Sequence, residues 1–421
     1  MAMRRTVLLP TLLPLLLVAA PQGSVSAPAP EAVAAPAPHP AALPAPLSDQ
    51  ATAFVGARVL PMDRERILEN QTVVVSQGRI VALGPDGQVE IPAGSNEIDA
   101  RGKYLMPGLA EMHGHTPGGE MAEPVMFLYV ANGITTVRGM LGAPGDLNLR
   151  SRANSGAIVA PALYLAGPSF RAATIGSPED ADARVRAQYR EGWDLLKVHP
   201  GLTVDQYDAM ARTAQEVGIR FAGHVPADVG LHHAIRMGQE TFDHLDGYLE
   251  ALDAFDRPMD PAAVAELVRL TREAGAAVVP TMVLWEVGIV GEGDADEMSA
   301  WPEMRYWPRE NIPLVVEGVE GWASRQRNAA ERAAQDPART RQWVANRDAL
   351  LKALADGGVR VLMGTDSPQI FSVPGFSLHR EMAHMARAGM TPWQILESGT
   401  RNVGEYFQGK DSFGTVAVGR R

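Results

Sequence analysis

The chain has 421 residues, 46% of them hydrophobic and 21% charged, enough for one large domain with a substantial core and a smaller companion. A formal charge of −11 denies it the basic surface that a nucleic-acid binder needs. With no cysteine it can form neither a disulfide nor a thiolate zinc site, so any metal must be held by nitrogen and oxygen donors.

At the N-terminus, Arg4 and Arg5 precede an apolar run from Val7 to Ala20. Its length and flanks suit a secretory leader rather than a spanning helix. Small-residue cleavage sites lie at Val25-Ser26-Ala27, followed at once by Pro28, and at Ala32-Val33-Ala34. Residues 1–34 are therefore expected to be a signal peptide, giving a secreted or periplasmic protein with no stable membrane insertion; an uncleaved anchor is the alternative. Residues 35–50 are Ala/Pro-rich and read as an extended tether. From 51 to 104 come short β-rich runs, AFVGARVL and TVVVSQGRIVALG among them, punctuated by Gly78, Gly84, Gly87 and Gly94. They predict a small β-sandwich-like domain, with no cluster of catalytic residue types.

From Leu105 the rhythm changes to strand–loop–helix. Eight strands are expected at 105–115, 135–140, 163–167, 195–199, 220–224, 241–245, 277–281 and 359–366. Helical patterns separate several of them, at 205–217, 227–237, 261–274 and 341–355. Such alternation calls for parallel strands with helical crossovers, and eight repeats over residues 105–405 match an α/β (β/α)8 TIM-like barrel. An insertion at 283–340 carries Trp285, Trp301, Tyr306, Trp307 and Trp322. Following strand seven, it would emerge on the catalytic face as a lid or subunit contact, or pack a small core of its own. Residues 406–421 turn back toward the small β-domain and are expected to complete it only in part.

Six potential ligands close these apolar runs: His113, His115, Lys197, His224, His244 and Asp366. Residues distant in sequence that all end parallel strands can converge on one face of a barrel. His113 and His115, two apart on a strand, point to the same side. Lys197 inside a buried strand is costly as a bare ammonium. It must find a salt bridge, reach solvent, or be carboxylated by CO2 into an anionic oxygen ligand. His224 and His244 end adjacent strands and could share an ion, and Asp366 could bind metal and face an attacking water. His199, two residues past Lys197, and His379, beyond strand eight, are candidates for substrate contact. Arg138 and Tyr248 are candidates for holding a substrate carboxylate.

The phrases MPGLAEMHGH (106–115), ANGITTVRGM (131–140), LLKVHPGL (195–202), FAGHVP (221–226), DHLDGY (243–248), GTDSP (364–368) and FGTVAVGRR (413–421) make the chain resemble the metal-dependent amidohydrolase superfamily from about Ala53 onward. The lysine with HVP and HLDGY resembles the binuclear branch that contains Xaa-Pro dipeptidases (prolidases) and ochratoxin-hydrolysing amidases. That branch often carries aspartate where this chain has Glu111. The resemblance implies two divalent ions, with zinc the default for this donor set. One would be held by His113, His115 and Asp366, the other by His224 and His244, with carboxylated Lys197 bridging them. It implies attack by a metal-bridging hydroxide on an amide of a small molecule, such as a dipeptide, an N-acyl amino acid or an ochratoxin-like amide. Asp366 would shuttle the proton. The same centre would suit a lactonase, esterase or phosphotriesterase. The resemblance also implies a homo-oligomer.

Overall fold

A computed structural model describes residues 50–421, so the leader and all but the last residue of the tether lie outside the described residues. The first strands are β1 (Thr52–Val59), β2 (Leu68–Ser76), β3 (Arg79–Pro85), β4 (Asn96–Asp99) and β5 (Tyr104–Leu105). They form one sheet in the order β3-β2-β1-β4, with β5 also paired to β1. Gln77 and Gly78, both at positive φ (49° and 71°), make the two-residue turn between β2 and β3, whose twist suits a tight hairpin. One face of the sheet buries Ala57, Val59, Val73 and Ile80 around Val416; the other covers Ala53 and Val74 with Val89 and Ile91. A single five-stranded sheet therefore stands where a sandwich is expected. The outer face is covered by loop side chains instead of a second sheet. The C-terminal segment reaches this sheet through hydrogen bonds from Ile80 N to Arg420 O and from Val416 N to Pro61 O (both 2.9 Å).

All eight strands expected beyond residue 104 are present, trimmed to their hydrogen-bonded centres. Parallel strands β6 (Leu109–Gly114), β7 (Ile134–Gly139) and β8 (Ala162–Leu165) form one sheet. Strands β9 (Leu195–Val198), β10 (Arg220–Gly223), β11 (Thr241–Asp243), β12 (Ala277–Val279) and β13 (Arg360–Val361) form another, also parallel. The two sheets touch at both junctions. Ala166 bridges Leu195 and Phe170 bridges Val198 on one side, while Met112 N donates to Met363 O (2.9 Å) on the other. These strands are buried along nearly their whole length, without the in–out alternation of a half-exposed sheet, as in parallel sheets that helices cover. Helix Val204–Val217 shows how the sequence sets the crossovers. Thr203 and Gln206 form a capping box, Tyr207, Met210, Ala211 and Ala214 supply the buried stripe, and Gly218 (φ 76°) ends it. The helix expected at 227–237 shrinks to Leu231–Arg236, because Gly230 at φ 72° delays its start.

The insertion is helical, with Val319–Ala333 its longest described helix and a π-helical turn at Leu284–Ile289. Trp322 is buried and stacks on Trp307 with ring centroids 5.2 Å apart. Trp322 and Trp301 both meet Phe371, beyond β13, edge-on at 6.2 Å. The buried aromatics thus make a core shared between the insertion and the segment after β13.

Candidate metal centre

The six expected ligands converge. His113 closes β6, and a register shift against β7 between Glu111 and Gly114 marks a bulge of the kind that re-aims side chains next to sites. His115 Nε2 lies 2.5 Å from Asp366 Oδ1, and His113 Nε2 lies 3.7 Å from the same oxygen. Lys197 Nζ is 3.1 Å from His113 Nε2, and His244 Nε2 is 3.8 Å from Asp366 Oδ2. The His244 ring is 4.5 Å, centroid to centroid, from both His113 and His224. His244 and Asp366 both sit at φ 63°, a conformation that costs a non-glycine residue about 1–3 kcal/mol. Neighbouring strands hold them there: Asp366 N donates to His113 O and His244 N to Val279 O, each at 2.7 Å.

Behind the ligands stands a layer that sequence reasoning missed. Asp246 Oδ2 is 2.6 Å from His224 Nδ1, Thr281 Oγ1 is 2.8 Å from His244 Nδ1, and Asp243 Oδ2 is 2.9 Å from His113 Nδ1, though out of line for a hydrogen bond. A hydrogen bond at Nδ1 orients the His224 and His244 rings and turns their Nε2 toward the centre, as outer partners of metal-binding histidines do. His244 Nε2 is consequently buried with no hydrogen-bond partner, an unsatisfied atom that a bound cation would satisfy. A signal for this layer was available: Asp243 and Asp246 flank His244 in one apolar phrase. Glu111 works from the other side, where its Oε1 accepts from His113 N and Thr365 N (both 2.9 Å) and its Oε2 lies 2.6 Å from the Thr365 hydroxyl. It thereby ties the first ligand strand to the last.

Electrostatics match ligand duty. Burial, reinforced by neighbouring positive groups, holds His113 and His244 well below the ordinary histidine value, so both are neutral, the form that binds metal. Burial also lowers Lys197 to about 8 even with Asp243 and Asp366 near it. For Asp366 burial pushes upward, but the hydrogen bond with His115 and the positive groups around it outweigh this and hold its carboxyl well below the usual range.

The substrate contacts expected from sequence divide. His199 is at the centre: its ring stacks on His224 at 4.9 Å, and its Nδ1 is buried without a partner. Arg138 is not free for a substrate carboxylate. It is fully buried and spends its donors on Met112 O, Thr241, Tyr406 and Asp243. Tyr248 is likewise fully buried, its hydroxyl paired with Thr271 at 2.7 Å. His379 is exposed on helix Phe376–Arg387, its Nε2 3.1 Å from Asn132 O, and joins no ligand.

Among solved structures, a Xaa-Pro dipeptidase with bound methionine in its active site superposes with a TM-score of 0.64 at 19% identity, covering 88% of this chain and 92% of that one. The ochratoxinase of A. niger gives 0.61 at 17% identity, covering 88% and 87%. Both are likenesses of fold. A 5-methylthioadenosine/S-adenosylhomocysteine deaminase of Symbiobacterium thermophilum is 43% identical over 61 residues, only 14% of each chain. The aligned segments span 12–18% of the curated relatives' length. A family-wide match is far broader: residues 104–421, which hold all six converging ligands, fit the family model described as Amidohydrolase family, and the chain belongs to that family.

Proposed function

We propose that this protein hydrolyses an amide or peptide bond in a small molecule, such as a dipeptide, an N-acyl amino acid or an ochratoxin-like amide, at a centre for two divalent ions. In this reading the two parallel sheets form one closed eight-stranded barrel, and its strand ends present the donors. His113, His115 and Asp366 would hold one ion and His224 and His244 the other, with carboxylated Lys197 between them; the nitrogen-and-oxygen donor set favours zinc. The carrying observation is the convergence of the imidazoles, with His113 and His244 held neutral by burial and His244 Nε2 buried and unsatisfied among them. Bound there, the ions would supply a nucleophile from water near neutral pH and Lewis acidity toward the scissile carbonyl. The chain's own residues do the rest. Asp366, ionised and hydrogen-bonded to His115, is placed to accept the proton of the attacking water and return it to the leaving nitrogen. His199, whose Nδ1 no protein group satisfies, is placed to hold a polar group of the substrate.

The test is to incubate zinc-loaded protein with pooled dipeptides and N-acyl amino acids and score released amino acids by mass spectrometry. Asp366→Asn should lose about 10²–10⁴-fold in turnover while keeping its circular dichroism. Release by Asp366→Asn at the wild-type rate would remove the proton-transfer role. No release by metal-loaded wild type would transfer the reading to lactones and esters.

A further inference from the structure

A second convergence of donors, sharing no ligand with the centre above, lies where the insertion meets the last helices. Glu286 sits in the π-helical turn Leu284–Ile289 and is 2% exposed. Its Oε2 is 2.6 Å from Nδ1 of His384 on helix Phe376–Arg387. Glu292 folds back to the same place: its amide donates to Glu286 O at 2.7 Å. One donor atom from each of Glu286, Glu292 and His384 lies within 4.8 Å of the others. Asp348, on helix Pro337–Asp356, interacts electrostatically with His384 and Glu292, which adds a further acidic group to the neighbourhood of the three donors.

The charges there do not balance. Arg387 contacts Glu286 and Glu292, the latter at 2.8 Å, one cation against two carboxylates. Arg347, which also interacts with Asp348, donates its own hydrogen bonds to His244 O and Pro280 O. Two carboxylate oxygens, Glu286 Oε1 and Asp348 Oδ1, are left buried with no hydrogen-bond partner. A buried acceptor without a partner is destabilising, more so if charged, and a donor or an ion would satisfy it. The Arg387 side chain is 42% exposed, so it can swing into solvent and admit one. π-Helical turns of this kind also occur frequently at functional sites.

We infer that Glu286, Glu292 and His384 form a separate binding site for one divalent transition ion, zinc or manganese, with Asp348 beside it. Ligand distances of about 2.0–2.2 Å for such donors require only small closures of the present spacing. An ion there pins the insertion to the helices that flank it, a structural duty independent of bond cleavage.

The experiment compares zinc content per chain, by inductively coupled plasma mass spectrometry after exhaustive dialysis, in wild type and in the double variant Glu286→Gln/His384→Ala. The expected difference is one ion per chain, with amide-hydrolysing activity retained, whatever number the first centre holds. Equal zinc content in the two folded proteins overturns the proposal. Because the double variant could fail to fold, Arg387→Ala provides a second arm. Removing the competing cation should tighten binding of this ion at least tenfold in competition with a chromophoric chelator. Unchanged or weaker binding in that variant overturns the site and leaves Arg387 as the cation that pairs Glu286 and Glu292.

Discussion

Lys197 is the residue on which the proposed centre turns. It is fully buried, and burial brings its ammonium down to about 8, so near neutral pH part of it is the free amine, the form that adds CO2. Metal-free protein reconstituted with zinc in CO2-depleted buffer should therefore regain little activity until bicarbonate is added. Recovery should be faster at pH 8.5 than at pH 6.5. Full recovery without bicarbonate would mean that the amine itself suffices. Glu111 makes a different prediction, about stability. Burial raises its carboxyl from the ordinary 4.5 to about 8, so the folded protein binds this proton more tightly than the unfolded chain does. Its stabilising contribution is complete below the unfolded value and is lost as pH rises through about 8. Glu111→Gln can keep the acceptor for His113 N and Thr365 N without a titrating proton. In metal-free protein the melting temperature of wild type should fall relative to Glu111→Gln by at least about 2 °C between pH 5 and pH 9. A gap that stays flat over this range would place the ionised form in the fold.

At the scale of elements, the ligand-bearing strands were legible because each ends an apolar run with a residue too polar to be there by packing alone. His113, Lys197, His244 and Asp366 all announce themselves in this way. What supports them was legible only in part, through Asp243 and Asp246 beside His244, since the rest depends on contacts across the fold. Arg138 at a strand end reads as a substrate clamp until Asp243, 105 residues away, is seen to receive it. Tyr248 reads the same way until Thr271 appears against its hydroxyl. The insertion is a like case, for its aromatic richness did not say which ring meets which. Trp322 carries the clearest test there. Its ring is buried against Trp307 and Phe371, so Trp322→Ala should cost about 3–5 kcal/mol. Limited proteolysis should then cut first within 283–340, while the strands beneath stay protected. Cleavage distributed evenly over the chain would show that this element is no separate stability unit.

For the whole molecule the question is whether the small sheet and the ligand-bearing strands melt as one. The chain links them twice. Arg401 donates to Asp63 O (3.3 Å), and the last residues run from Phe413, packed with Tyr406 and Phe407 beneath the strands, to Val416 inside the sheet. The site itself takes no ligand from the sheet. Val416→Asp would place a charge among Ala57, Val59, Val73 and Ile80 with no partner for it, a change that costs several kcal/mol. Because the return segment is shared, the loss should lower the single melting transition of the whole protein. At 20 °C, where the fold persists, kcat/KM should remain within about twofold of wild type, since no strand end bearing a ligand is touched. Hydrogen exchange would locate the loss. Faster exchange in residues 52–85 and in 109–114 alike means one cooperative unit, whereas acceleration confined to 52–85 means that the sheet opens by itself while the six donors stay assembled.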